Sequence, residues 1–423
     1  MTTRITTDNI TDGTITGSDL GSIANSAVNW QSVITADGST QTTGVAGQGY
    51  FIDTTSNAHT FVLPSSPSVG DTIQIRDYAA SFGSNNVTLD NNGSKIGGIS
   101  ANGTIATNDS MVTLVYSGTD KGWLSVENEA KTNLTPSEFT SATGGTVTTT
   151  GDYKIHTFTS SGCFVVCTVG NSPSNPQGGP QVVDYLVVAG GAGGGGSEPG
   201  YWSGGGGGAG GFRESKSPVA GTYTASPLAT PTGITVSAQT YPITVGGGGT
   251  AGTSANPGYC GVKGGDGSNS VFSTITSTGG GGGGRNDGTT NPVDPPNKQG
   301  SPGGSGGGAA GGGAESGGSG NTPPVSPPQG SNGGVGSTPS AGTGGGGGGA
   351  TAAGQSGCGQ HGSGGAGGTT SISGSPSTKA TGGSANNPGS GPSNSGNGGG
   401  SASNNNQPGA GGSGIVVIRY KYQ

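Results

Sequence analysis

The sequence predicts an all-β protein that ends in a glycine-rich domain of packed polyglycine II helices. Glycine supplies 99 of the 423 residues, far above an average near 7%, and beyond residue 190 it forms nearly uninterrupted tracts. Before those tracts, apolar residues come in short alternating runs separated by turn residues, which is typical of strands. No useful window shows the 3.6-residue period of a helix.

Residues 1–30 are predicted to be an extended attachment segment. Single apolar residues recur about every five positions, which fits neither a helix face nor a strand. Such a segment cannot bury a core alone, so we expect it to lie against a partner or against copies of itself.

Residues 31–128 are predicted to form a β-sandwich or barrel. Turn clusters such as PSSPSVGD and DNNG separate short apolar runs, and this many runs in roughly 100 residues favour an all-β module. The predicted strands are 49–53, 59–63, 71–77, 86–90, 103–107, 111–117 and 122–126. The predicted inward faces carry Ile73 with Ile75, Val87 with Leu89, and Val112 with Leu114 and Tyr116.

Residues 129–180 are predicted to be a linker followed by a β-hairpin neck. The strands 153–159 and 163–169 are joined by SSG, which indicates a hairpin turn. Alternation puts Cys163 and Cys167 on one face, about 13 Å apart and therefore beyond the reach of a disulfide. We expect both to be packing residues with free thiols.

Residues 181–423 are predicted to be the glycine-rich domain with polar loops. Polyglycine can form an extended helix with a rise of about 3.1 Å per residue, in which the backbone groups point outward and only glycine fits where chains crowd. Neighbouring helices can then satisfy one another's backbone hydrogen bonds. The strands VVDYLVV and GIVVIRY, at the two ends of this region, are expected to pair and frame it. Composition alone would also fit a disordered linker, which would not need the terminal strand.

Several chemistries are disfavoured by the sequence. The 14 basic residues against 21 acidic ones form no cluster, which argues against nucleic acid. No apolar run approaches the roughly 20 residues of a membrane span, and no signal peptide is recognised at the start, so a protein that is neither exported by the usual route nor inserted in a membrane is expected. GGDGSNSVF (264–272) is a single imperfect calcium nonapeptide. No catalytic set, metal site or cofactor motif emerges, and we expect no enzyme.

The polar loops between glycine tracts supply the candidate contact surface. SEPGYWS carries two aromatic residues of the kind enriched at binding hot spots, although such a pair can also simply pack over the neighbouring glycines. RND and QH provide side chains that can hydrogen-bond sugar hydroxyls, or else are solvated loops. The candidate residues are Glu198, Tyr201, Trp202, Arg285, Asn286, Asp287, Gln360 and His361.

The order of the motifs adds a resemblance. YKIHTFTSSGCF, VDYLVVAGGAGGGG, TYPITVGGGGTAG, GGDGSNSVFSTITSTGGGGGG and GGSGIVVIRY follow one another, and this series resembles the glycine-rich domains of tailed-phage fibre and adhesin proteins, especially those of marine cyanobacterial phages. Residues 31–126 look like a β module found beside such domains. The glycine-rich region of anaplastic lymphoma kinase has similar tracts, but nothing else here resembles a receptor.

The resemblance implies a homotrimeric virion protein of the tail or another external appendage, made in the host cytoplasm. Residues 1–30 would bind another virion protein, and the glycine-rich loops would bind a host surface glycan or outer-membrane protein. The alternative is a purely architectural head fibre, neck fibre or decoration protein without receptor binding.

Overall fold

The chain folds into two compact units. The computed structural model describes residues 28–126, 137–172, 178–197, 202–254, 261–286, 295–338, 342–403 and 406–423. The first unit comprises residues 1–139 with 170–180, and the second comprises 140–169 with 181–423. The predicted attachment segment therefore lies almost wholly outside the described residues.

Ten strands are described in the first unit. They are β1 (Asn29–Trp30), β2 (Ile34–Thr35), β3 (Gln41–Thr43), β4 (Gln48–Asp53), β5 (His59–Val62), β6 (Thr72–Asp77), β7 (Val87–Asp90), β8 (Gly103–Ile105), β9 (Met111–Tyr116) and β10 (Trp123–Ser125). Every strand predicted between residues 49 and 126 is present, so the strand pattern is confirmed.

These strands form two sheets that share one core. One sheet has the order β1-β4-β6-β9-β10 with β2 beside β4, and the other has the order β3-β5-β7-β8. From β2 to β7 the chain changes sheet at every step, so neighbours within a sheet are parallel. The predicted sandwich is confirmed, and its winding resembles a short two-faced β-helix.

Alternation along the strands builds the core of the first unit. The predicted inward residues Ile73, Ile75, Val87 and Leu89 are all fully buried, as the period of two in a strand requires. They join one apolar cluster that includes Trp123. Each such side chain contributes about 1.5–3 kcal/mol when it leaves water.

The second unit contains the remaining described strands and one four-residue helix. They are β11 (Ser141–Thr143), β12 (Thr146–Thr150), β13 (Tyr153–Phe158), β14 (Gly162–Thr168), β15 (Val182–Val188), β16 (Phe212–Ser215), β17 (Ala229–Thr230), β18 (Ile234–Thr235), β19 (Thr240–Thr244), β20 (Ser270–Phe272), β21 (Ile275–Ser277), α1 (Pro295–Lys298), β22 (Gly368–Thr370), β23 (Ser377–Lys379) and β24 (Ile415–Lys421).

The two strands that frame the glycine region pair as predicted. β15 and β24 are antiparallel, with Asp184 opposite Arg419 and Val188 opposite Ile415. β24 also pairs with β13 on its other side, so it lies inside the sheet β12-β13-β24-β15-β16-β17. The end of the described chain is thus a central strand.

The predicted hairpin neck is wrong. β13 and β14 belong to different sheets, because β13 pairs with β12 and β24 whereas β14 pairs with β11 and β19. The SSG turn carries the chain across the core, where Phe158 and Phe164 share one apolar cluster. Residues 140–169 consequently belong to the second unit, and a separate neck domain over 129–180 does not describe this structure.

The side chains of Cys163 and Cys167 face outward. Both are exposed free thiols, whereas Phe164 and Val166 between them point into the core. The prediction of free thiols on one face is confirmed, but their predicted packing role is wrong. The predicted alternation of the strand is correct, but the face that carries the two cysteines is the outer face and not the inner one.

The glycine tracts form a lattice held by backbone hydrogen bonds. In residues 190–196, the N–H groups donate to three neighbouring segments in rotation, so that every third N–H reaches the same segment. The three segments are 262–268, 409–412 and 205–208. The carbonyl groups of this tract accept bonds from three further segments, 280–286, 249–252 and residue 399. A period of three with outward-pointing groups is that of the polyglycine II helix, and regular bonding of this kind is not that of a disordered linker.

Close approach of the backbones explains why these tracts need glycine. A Cβ atom built on Gly206 would lie 2.0 Å from the carbonyl oxygen of Gly383, and one on Gly193 would lie 1.9 Å from that of Thr250. Such distances are far inside van der Waals contact, which is about 3.5–4.0 Å between carbon atoms. In this lattice, backbone hydrogen bonds replace the packing of side chains.

Candidate functional site

The tracts gather several polar connections of the second unit at one end. Residues 190–196 lead away from β15, and residues 204–211 return to β16. Later tracts alternate in the same way, so one end adjoins the sheets and the opposite end carries loops. We call the opposite end the loop end. It comprises residues 197–203, 253–262, 285–298, 311–316, 337–343, 357–362, 385–389 and 402–408, where these are described.

The candidate receptor-contact residues that the structure describes all belong to segments of the loop end. Glu198, Tyr201 and Asp287 lie outside the described residues. The other five are Trp202, Arg285, Asn286, Gln360 and His361. The structure therefore brings together loops that are up to about 160 residues apart in sequence.

Trp202 packs against glycine backbone at the loop end. A Cβ atom on Gly312 or on Gly342 would lie only 1.8 Å from an atom of the indole ring, so each glycine leaves space that the ring occupies. Trp202 is half-buried. Its local packing role is thus evident, and part of the ring still faces outward.

Ser203 connects the first candidate loop to the last. Its hydroxyl oxygen lies 3.0 Å from Nδ1 of His361 and accepts a bond of 2.9 Å from the N–H of Gly344. Partial burial lowers the pKa of His361 below its usual value, which favours the neutral imidazole. His361 and neighbouring Gln360 are exposed, and Gln360 is among the outward-facing groups of this end.

The two described residues of the RND loop have different environments. Asn286 is only 1% exposed; its amide donates to the carbonyl of Gly311 at 2.6 Å, and its N–H donates to Gly196. The side chain is committed to the lattice and does not face a solvent-borne partner. Arg285 is half-buried, and its Nη1 donates to the carbonyl of Gly261 at 3.1 Å.

Other polar groups at the loop end were not among the residues selected from the sequence. Ser254 donates from its hydroxyl to the carbonyl of Asn406 at 2.7 Å, and Ser403 donates to the side chain of Asn386 at 2.5 Å. These contacts join loops about 150 and 17 residues apart in the chain. Nothing in their local sequence distinguishes them from other Ser and Asn residues in a chain rich in both.

The segment that resembles a calcium nonapeptide has a structural role. Oδ1 of Asp266 accepts the N–H of Gly282 at 2.7 Å, and Oδ1 of Asn269 accepts that of Gly279 at 2.9 Å. Side-chain oxygens here replace the carbonyl that a further glycine tract would supply. Within the described residues, no group of three or more His, Cys, Asp or Glu side chains is placed to hold a metal ion.

Replacing Asn286 with aspartate is expected to destabilise the second unit. The carboxylate cannot donate to the carbonyl of Gly311 and would be buried beside it, and a buried polar group left without its partner costs about 1–3 kcal/mol, more when it is charged. Denaturant unfolding should show a lower midpoint for Asn286→Asp. The exposed Gln360→Glu substitution is the matched control and should change stability little, by about 0.5 kcal/mol at most. Equal midpoints for the two variants would contradict the structural role of Asn286.

These features define a class of protein: an all-β chain with a glycine lattice framed by two paired strands. Residues 166–421 match the model of the glycine-rich domain family, and the chain belongs to that family. The match begins within β14 and ends within β24, so it includes the framing strands. No curated protein matches the sequence.

Across the described part of the chain, no helix is long and apolar enough to cross a membrane.

Proposed function

We propose that the protein is a phage virion fibre whose glycine-rich domain presents the loop end to a host surface receptor. The observation that supports this most directly is the gathering of polar and aromatic loops from distant parts of the chain at one end of a rigid lattice. Binding residues are commonly carried on loops positioned by such a scaffold. The family resemblance of the ordered motifs supplies the phage context.

The expected partners follow from the same proposal. The fibre is a homotrimer, residues 1–30 attach it to another virion protein, and the receptor is a glycan or an outer-membrane protein. The exposed Gln360 and the outward part of Trp202 provide the hydrogen-bonding and aromatic groups that sugar or protein surfaces require. The chain carries out no chemistry in this role.

The test is competition for adsorption. Purified full-length protein is expected to block adsorption of the parent particle to host cells in a saturable manner. The variant Gln360→Lys/Asn387→Lys, changed at two exposed positions of the loop end, should lose at least roughly tenfold in potency, as is usual for loss of a binding contact worth 1.4 kcal/mol. The matched variant Ser373→Lys/Thr378→Lys adds the same charge at exposed positions beside the sheets and should compete like the wild type.

An architectural appendage is the second candidate. The burial of Asn286 and the packing of Trp202 over Gly312 and Gly342 show loop residues that serve the lattice itself. If folded wild-type protein fails to compete, or if both lysine variants compete equally, the receptor-binding proposal fails and the architectural one is favoured.

A further inference from the structure

A cavity next to the sheets of the second unit is lined in part by a buried arginine, Arg419. Its volume is about 360 Å³, which lies within the range of roughly 300–1,000 Å³ found for small-molecule sites. Its lining includes the residues Thr150, Tyr153, Thr222, Tyr223 and Arg419. The cavity lies at the sheet end, away from the loop end, so it is independent of the function proposed above.

Arg419 lines this cavity, and neighbouring groups contact its guanidinium group. The residue is 4% exposed, and its Nε donates to the carbonyl of Ala220 at 3.2 Å. The guanidinium carbon lies 4.4 Å from the ring centre of Tyr153 and 5.3 Å from that of Tyr223. These two rings stabilise the cation through their faces and fix its orientation.

The terminal nitrogens of Arg419 remain available. Within the described residues, Arg419 donates one side-chain hydrogen bond, and it comes from Nε. The salt bridge of the described chain joins Arg76 to Asp109 and does not involve Arg419. Asp184 stands opposite Arg419 in the strand pairing. Its carboxylate accepts bonds from Ser215 and Ser217. Its charge favours the cationic form of Arg419, but it accepts no hydrogen bond from the guanidinium.

A buried guanidinium whose fork of two terminal nitrogens has no hydrogen-bond acceptor favours the binding of a planar anion. Carboxylates accept two parallel bonds from such a fork, and this geometry is a main reason why arginine recognises them. The hydroxyl groups of Thr150 and Thr222 add hydrogen-bonding capacity at the exposed side of the cavity. Asp152, also in the lining, can accept bonds from ligand hydroxyls.

We propose that this cavity binds an acidic monosaccharide, with its carboxylate on the terminal nitrogens of Arg419 and its hydroxyls toward Thr150, Thr222 and Asp152. One carboxylate satisfies the cation, and the polyhydroxylated ring matches the remaining polar lining. The cavity volume is sufficient for a single sugar ring. The site would add a second ligand to the domain, apart from any receptor at the loop end.

Titration calorimetry of the full-length protein tests this assignment. D-glucuronate, D-galacturonate and N-acetylneuraminate are the probes, and at least one is expected to bind saturably with a Kd in the millimolar range or below. Glucose and inorganic sulfate should each bind at least about tenfold more weakly than that sugar, a difference of 1.4 kcal/mol. Failure of all three acidic sugars, or equal binding of glucose or sulfate, would overturn the proposal.

Variants then locate the binding. Arg419→Lys keeps the charge but loses the bidentate fork, and should weaken binding at least tenfold. Because Arg419 is buried and that variant can fail to fold, Thr222→Trp provides an independent test by filling the cavity from an exposed position. Thr148→Trp, on the exposed strand β12 and outside the lining, is its control. Binding should be lost in the first and kept in the second; unchanged binding to Thr222→Trp would show that the cavity is not the site.

Discussion

Replacing Gly206 with alanine is expected to disrupt the glycine lattice, although the change adds a single methyl group. That group would lie 2.0 Å from the carbonyl oxygen of Gly383 and 3.0 Å from the N–H nitrogen of Gly347. Both neighbours are themselves fixed by hydrogen bonds to other tracts, so neither can move away cheaply. Overpacking of a well-packed interior costs about 1–3 kcal/mol and sometimes more, and the upper part of that range or beyond is expected for the free energy of unfolding.

Gly247 provides the matched control within a similar glycine tract. A Cβ atom there meets nothing within 4 Å, and its φ is not among the positive ones. Gly247→Ala should therefore be neutral or stabilising by about 0.4–1 kcal/mol, because alanine restricts the unfolded chain. Denaturant unfolding of the two variants measures both effects. The dependence of the free energy of unfolding on denaturant concentration should be the same in both. Equal stability of Gly206→Ala and Gly247→Ala would refute the close-packed lattice.

Replacing Ile418 with aspartate should unfold the second unit while leaving the first unit folded. Ile418 is fully buried, lies between His156 and Tyr185 on the neighbouring strands, and belongs to the core shared by both sheets. A charged group in that position has no partner, and losses above about 4 kcal/mol are typical of such burial. The first unit has a separate apolar cluster, built from residues between Tyr50 and Trp123, and should keep its own transition.

Calorimetry with limited proteolysis distinguishes the two units. The expected result for Ile418→Asp is one remaining transition and rapid cleavage within residues 181–423, with the first unit protected. Thr149→Asp introduces the same charge on β12, where every residue is exposed, and should leave both transitions within about 0.5 kcal/mol of the wild type. Loss of both transitions in Ile418→Asp, or of neither, would contradict the assignment of β24 to the core of the second unit alone.

Predictions from local pattern succeeded where one short stretch contained the whole cause. Alternation placed Ile73 and Ile75 in the core, and the apolar runs at the two ends of the glycine region indicated the pairing of β15 with β24. The same reasoning failed for SSG, because a tight turn between two strands does not reveal whether they join one sheet or two. The partner that decides this for β13 is β24, more than 250 residues away.

In the candidate site, too, local sequence predicts some features and distant parts of the chain decide others. Residue type and the position of loops between glycine tracts were enough to select Trp202 and His361. Their proximity through Ser203, and the burial of Asn286 beside Gly311, depend on which tracts are neighbours. The cavity around Arg419 gave no sequence signal, since its lining comes from four separate segments of the chain.

The sequence by itself determined that this protein is all-β, that its second half is glycine-rich enough to pack backbone against backbone, and that strands enclose that region. These properties follow from composition and from the period of two residues in the apolar runs. Only the tertiary structure decided which tracts adjoin, which loops share an end and which face of a strand is buried. A glycine carries no side chain that could specify its neighbour, so the order of the lattice is set by the turns and by the sheets that anchor it.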